Sequence, residues 1–117
     1  MNCKICELHK IQPQAIIQST EFWIIRNTSS ALLPGYCILE PRRHVTTWSD
    51  LTSKEIIEMG TLIQEIESRL KFEHHAEKVY VVTISEVVSH LHLHLIPRAT
   101  GMQLRGLHLI EKAITSN

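Results

Sequence analysis

The run Ser89-His90-Leu91-His92-Leu93-His94-Leu95-Ile96-Pro97-Arg98 constrains the fold more than any other part of this 117-residue chain. Successive side chains of a β-strand point to opposite faces. Alternation therefore puts His90, His92 and His94 on one face and Leu91, Leu93 and Leu95 on the other, against a core. A helix turns by about 100° per residue and would scatter the three imidazoles over roughly 200° of its surface. The alternation reads as strand. A polar strand face ordinarily favours Thr, Lys or Glu, so a face of three rings asks for a chemical reason. Two reasons are open: imidazole nitrogens can gather around a metal, or one ring can attack a phosphorus or carbonyl centre while its neighbours fix its tautomer and bind the substrate.

The rest of the chain supplies the elements around this strand. Glu21-Phe22-Trp23-Ile24-Ile25-Arg26 is a strand candidate, Asn27-Thr28-Ser29-Ser30 a turn, and Tyr36 to Glu40 a second strand. Pro34-Gly35 is a turn signal before it, and Pro41 closes it because proline cannot continue the ladder. The period then changes. Thr52-Ser53-Lys54-Glu55 forms a capping box that starts a helix, with Ile56, Met59, Ile63, Ile66 and Leu70 as its apolar stripe. Val79-Tyr80-Val81-Val82-Thr83-Ile84 is β-rich and leads to the histidine strand. The order β-β-α-β-β predicts an α+β fold, a meander antiparallel sheet covered on one face by one long helix.

A chain of this length, 44% hydrophobic and 21% charged, suits a single domain over residues 1–117. Twelve basic residues balance twelve acidic ones, which excludes a long polyanion such as duplex DNA as the expected partner and leaves small phosphorylated ligands. No stretch approaches the ~18 to 20 apolar residues of a membrane span, and Met1 to Glu7 lacks the apolar run of a secretory signal, so the cytoplasm is the expected compartment. Three cysteines, an odd number, argue for reduced thiols or metal ligands over a disulfide framework.

The pattern His-φ-His-φ-His-φ-φ, φ being apolar, closely resembles the signature of the histidine triad (HIT) superfamily of nucleotide hydrolases and transferases. Pro34-Gly35-Tyr36-Cys37-Ile38-Leu39-Glu40-Pro41-Arg42-Arg43-His44-Val45 resembles that family's second block, and both blocks stand in the family's order. The resemblance implies a HIT-like sheet and a reaction at the α-phosphate of a nucleoside phosphoramidate or dinucleoside polyphosphate. It makes His92 the nucleophile, giving a nucleotidyl-histidine intermediate, and places His94 to donate to a phosphate oxygen. Neutral imidazole, with a reference pKa of about 6.5, can attack without a separate strong base.

Cys3-x-x-Cys6 resembles the half-site of zinc-containing members, whose other ligands would here be His44 and His90. Such a Cys2His2 set is closed, which implies a structural zinc that pins the N-terminus to the sheet beside the reaction. Cys37 reads as a small buried filler. The resemblance also implies a homodimer, and it makes Asn27 the nearest match to the residue that contacts the ribose. Arg98 is a candidate phosphate contact, as are Arg42 and Arg43, and His9 and His108 read as surface or satisfied side chains more often than ligands.

The chain departs from the family in two places. Glu86 stands where Gln or Asn is usual, and a carboxylate would repel a phosphate unless it points away or pairs with a base such as Arg98. Val87 stands where one branch has a serine that assists the leaving group. These departures keep a second reading open, a nucleotide-binding regulatory or interaction protein with weak or lost catalysis. A third, in which His90, His92 and His94 together bind a catalytic metal, is disfavoured because Cys3, Cys6 and His44 already complete a zinc set with His90 alone.

Overall fold

The computed structural model describes residues 3–11, 15–28 and 30–115. Five antiparallel strands form one sheet: β1 (Ile16–Ser19), β2 (Trp23–Asn27), β3 (Cys37–Pro41), β4 (Ala76–Val82) and β5 (Leu93–Ala99), in the spatial order β1-β2-β3-β5-β4. Three helices pack on it, α1 (Lys4–Ile11), α2 (Ser53–His74) and α3 (Gly106–Thr115). The α+β antiparallel architecture agrees with the sequence reading. Three elements went unread, namely α1, the short edge strand β1, and α3. The sheet also departs from a simple meander, because α2 carries the chain from β3 to the far edge and β5 returns between them. Of the expected turn after β2, Ser29 lies outside the described residues.

The two faces of the sheet carry separate cores. On one face Trp23, Ile25, Leu39, Leu91, Leu93 and Leu95 meet Leu62, Ile66 and Leu70 of α2. On the other, Ile38 and Ile96 meet Leu109 and Ala113 of α3. Helices therefore cover both faces, against the expectation of one. The leucine side of the His-Leu alternation holds through all three positions, although only His94 of the three histidines lies within a strand. His90 and His92 belong to the extended segment before β5, whose Leu91 amide donates to the Val45 carbonyl at 2.8 Å.

Helix α2 begins as its sequence requires: the Glu55 amide donates to the Thr52 hydroxyl at 3.1 Å and the Thr52 amide to the Glu55 carboxylate at 2.8 Å. Glu55 is itself buried, with Arg43 donating to it at 2.8 Å, and this hydrogen bond above all holds its carboxyl below the usual carboxylate range. The buried stripe is Glu55, Leu62, Ile66 and Leu70, with Met59 and Ile63 at its margin, whereas Ile56 is exposed. The cap explains the offset. Glu55 must face back over the first turn to reach Thr52 and Arg43, and that rotation turns Ile56 towards solvent. At the other end of α2, Gly35 (φ +92°) fits the turn before β3 against the helix, where a Cβ would meet Leu70 at 2.7 Å and His74 at 2.6 Å. Ile66→Ala should cost about 2 to 5 kcal/mol of stability through lost burial and cavity formation, and Thr52→Ala about 1 kcal/mol through the lost cap. Urea unfolding checks the order; equal effects would mean that burial of Ile66 contributes no more than the cap.

Candidate functional site

The three histidines carry out three different hydrogen-bonding tasks. A backbone carbonyl can only accept, so each imidazole nitrogen that meets one must carry a proton. His90 is fully buried and donates Nε2–H to the Pro41 carbonyl at 2.8 Å. Burial also holds its pKa below the ordinary value, so the ring is neutral and its Nδ1 presents a lone pair. That Nδ1 faces Cys3 Sγ at 3.4 Å and Cys6 Sγ at 3.5 Å, and Cys6 Sγ lies 3.7 Å from His44 Nδ1. All four ligand atoms of Cys3, Cys6, His44 and His90 fall within 4.8 Å of one another. Helix α1 brings Cys6 and, from the residue just before it, Cys3; the segment after β3 brings His44, and the segment before β5 brings His90. Two thiols and two imidazole lone pairs converging this closely can hold a metal ion.

His92 faces a different way. Its Nδ1–H donates to the His90 carbonyl at 2.9 Å, and its own amide donates to the Ser85 hydroxyl at 3.2 Å. Ser85, at φ +52°, is held in the left-handed region beside it. In the neutral ring the remaining lone pair is on Nε2, unencumbered by any protein partner among the described residues. His94 lies within β5, its ring centroid 5.2 Å from that of His92. Its Nδ1 is 2.6 Å from the hydroxyl of Tyr36. Tyr36 is fully buried, and burial pushes its phenol up to about 12. Its proton has no other acceptor among the described residues, so Tyr36 donates to His94 Nδ1 and His94 carries its own proton on Nε2. One ring thus offers a lone pair and its neighbour an N–H.

These two rings open into a cavity of about 280 Å³ that also takes in Lys4, Ile5 and Leu8 of α1, Arg26 of β2 and Ile38 of β3. Arg26, Ile38 and His94 lie in register across three neighbouring strands. Asn27 is exposed at the end of β2 and falls in the alternation with Ile25, on the α2 side. Arg26 therefore faces the cavity where Asn27 was expected. Arg98 lies four residues beyond His94, roughly 13 Å along the strand, and its nearest acid is Glu77 at 3.8 Å. It does not line the cavity. Glu86 and Val87 are both exposed, and neither pairs with Arg98. Arg42 donates to the Thr20 carbonyl at 2.8 Å, and Arg43 is taken up by Glu55 and the Asp50 carbonyl, so that basic corner is structural.

The sequence reading also missed a buried charge cluster. Glu40, fully buried in β3, accepts from His9 Nε2 at 2.8 Å and Arg26 Nε at 2.9 Å. Burial alone would raise its carboxyl, but the hydrogen bonds from His9 and Arg26 outweigh it and hold the group below its ordinary value. His9 is accordingly a satisfied side chain, one of the two readings its sequence left open. A charged residue inside an otherwise apolar strand was the available signal, since a buried acid needs basic partners.

A family model described as HIT domain matches residues 9–101, so the chain belongs to the HIT family. The cysteine pair lies outside that match. The chain is 28% identical over 98 residues to the bifunctional bis(5'-adenosyl)-triphosphatase/adenylylsulfatase FHIT of Arabidopsis thaliana, covering 80% of this chain and 54% of that protein. It is 29% identical over 72 residues to the asymmetrical bis(5'-nucleosyl)-tetraphosphatase of Schizosaccharomyces pombe, covering 57% and 40%. The chain thus spans about half or less of these curated relatives. Among solved structures, a Zn-bound histidine triad family protein from Mycobacterium smegmatis superposes with TM-score 0.74 at 19% identity, covering 100% of this chain and 99% of that one. A Plasmodium falciparum diadenosine triphosphate hydrolase gives TM-score 0.70 at 20% identity, covering 91% and 75%. The two superpositions are likenesses of fold.

The electrostatics of His94 can be read in solution. Burial first, then the nearby His92 and Arg26 charges, hold its pKa down to about 4 against an ordinary 6.5. Between those values the unfolded chain binds a proton that the folded one refuses. The stability contributed by neutral His94 is therefore complete above about 6.5 and falls as the pH drops towards about 4. Side-chain NMR should show the Nε2–H tautomer at neutral pH and no protonation of this ring until about pH 4. A His94 titrating near 6.5 would contradict the Tyr36 contact and the burial together.

Proposed function

We propose that the protein is a nucleotide hydrolase or nucleotidyltransferase acting at the α-phosphate of a dinucleoside polyphosphate or nucleoside phosphoramidate. The observation that carries this reading is the pair of fixed tautomers, a free lone pair on His92 Nε2 beside a proton on His94 Nε2. His92 Nε2 forms a bond to the α-phosphorus as the bond to the leaving group breaks, and the departing group takes the electron pair and a proton from solvent. His94 donates to a non-bridging oxygen, where charge builds in the transition state. Water then attacks the phosphorus, the P–N bond breaks with its electrons returning to His92, and the nucleoside monophosphate leaves with the water proton passing to solvent. Relatives named as bis(5'-adenosyl)-triphosphatase and bis(5'-nucleosyl)-tetraphosphatase make dinucleoside polyphosphates the first class to assay.

His92→Ala should remove the covalent route and lower turnover on the order of 10⁴- to 10⁶-fold. His94→Ala, which deletes one donor, should lower it roughly 10²- to 10³-fold. Mass spectrometry of the protein quenched with substrate should find the nucleotidyl group on a peptide containing His92. Retention of most turnover in His92→Ala would sink the mechanism. The exposed Glu86 and Val87 leave the segment before His90 open, which favours, as the second reading, a nucleotide-binding protein with little catalysis; tight binding with no detectable turnover would select it.

The ion proposed for the Cys3, Cys6, His44 and His90 set is zinc. Tetrahedral zinc with bonds of about 2.3 Å to sulfur and 2.0 to 2.1 Å to nitrogen spaces sulfur from nitrogen by about 3.6 Å. The contacts at 3.4, 3.5 and 3.7 Å fit that spacing. A closed Cys2His2 ion supplies folding energy and no open position for substrate. Elemental analysis should find about one zinc per chain. Replacing Cys3 and Cys6 by serine should lower Tm by more than about 5 °C, the shift roughly 1 kcal/mol gives a domain of this size. Metal-free protein with unoxidised thiols and an unchanged Tm would overturn the assignment.

A further inference from the structure

The cavity beside His92 and His94 is lined, on its polar side, almost entirely by donors: Lys4, Arg26 and the His94 N–H. The one lone pair, on His92 Nε2, is committed to phosphorus in the reading above. No carboxylate is among the described residues that line the cavity. Glu40, which holds Arg26, is fully buried and occupied by His9 and Arg26. A bare ribose hydroxyl can accept from these donors, but the described lining side chains offer its own proton no acceptor. A ligand rich in acceptors finds several donors.

Arg26 is the distinctive group among them. It gives Nε and Nη2 to Glu40, at 2.9 and 3.5 Å, which fixes the plane of the guanidinium and leaves Nη1 without a protein partner among the described residues. Arg98 Nε is the one buried and unpartnered side-chain polar atom described, so Arg26 Nη1 is reached by solvent. The register row Arg26–Ile38–His94 sets the distance. Two strand spacings of about 4.8 Å separate the backbones of Arg26 and His94 by about 10 Å, with Ile38 as an apolar floor between them. The Arg26 side chain runs along the strands to Glu40, which pairs with Ile24, so its guanidinium stands off from His94 across that floor.

We infer that Arg26 reads a second phosphate, carried on the sugar of the nucleotide, so that the preferred nucleotidyl group is that of a nucleoside bisphosphate. This rests on the reading that His92 meets the 5'-linked phosphorus, and the chemistry at that phosphorus is unchanged by it. The guanidinium geometry suits the role, since a fork already oriented by a carboxylate loses little freedom when its remaining N–H groups bind an anion. Lys4, exposed on α1 at the same cavity, adds charge without fixed geometry.

Calorimetric titration of the whole chain with AMP, adenosine 3',5'-bisphosphate and adenosine 2',5'-bisphosphate tests this. One bisphosphate should bind on the order of 10- to 100-fold more tightly than AMP, as one or two added charge-assisted hydrogen bonds would give, and the ratio should shrink with added salt. Arg26→Gln should bring that ratio close to one, and Arg26→Lys should keep part of it. Equal affinities in the unaltered protein would overturn the inference, as would a ratio that survives Arg26→Gln or disappears only in Lys4→Gln. Where Arg26→Gln fails to fold because Glu40 has lost its partner, the unaltered ratio and Arg26→Lys still decide. If AMP binds and His92 is nucleotidylated but no bisphosphate is preferred, this inference alone falls. If none of the three ligands binds, the nucleotide reading falls with it.

Discussion

The hydrogen bonds of His90 organise the functional half of this molecule. Its Nε2–H is fixed on the Pro41 carbonyl, which turns Nδ1 to the two cysteines, and its own carbonyl receives His92 Nδ1–H. A carbonyl has no proton to give, so these contacts leave no choice of tautomer in either ring. One buried residue thereby sets the direction of the nitrogen that faces the two cysteines and of the free lone pair on His92. The two sites are adjacent in space and opposite in orientation because a single backbone segment serves both.

Helix α1 depends on that arrangement. Eight residues are too few to hold a helix in water by local interactions. Two fasteners hold it to the sheet: the Cys3 and Cys6 thiols against His44 and His90, and His9 at Glu40. Between them lie Lys4, Ile5 and Leu8, which form one wall of the cavity. The Cys/His cluster thus helps to place a wall of the cavity without lining it itself.

The charge on Glu40 ties three elements together. A carboxylate buried without partners carries a penalty of several kcal/mol, and here His9 and Arg26 offset it from two different elements. The cluster joins α1, β2 and β3, and it also orients the guanidinium that faces the cavity. Removal of Arg26 strips a buried acid of a partner, so its structural and ligand-facing roles are separated by ratios of affinities better than by stability alone.

Periodicity and end signals made much of this legible. The His-Leu alternation identified the core side of the segment before β5, because burying every second residue requires nothing beyond local extension. The capping box marked the start of α2, because its two hydrogen bonds join residues three apart in sequence. The convergence of Cys3, Cys6, His44 and His90 was legible only through a family resemblance. The weak elements escaped: α1 is short and is held by distant partners, β1 has four residues at an edge, and α3 is defined by the apolar face it lays on β5. The sequence alone determined which residue types could do chemistry here and which side of the histidine segment must be buried. Only the tertiary structure decided that Arg26 and not Asn27 faces His94, and that Tyr36 fixes the His94 proton. Both depend on strand register and on contacts between residues far apart in the chain, and no local pattern encodes them.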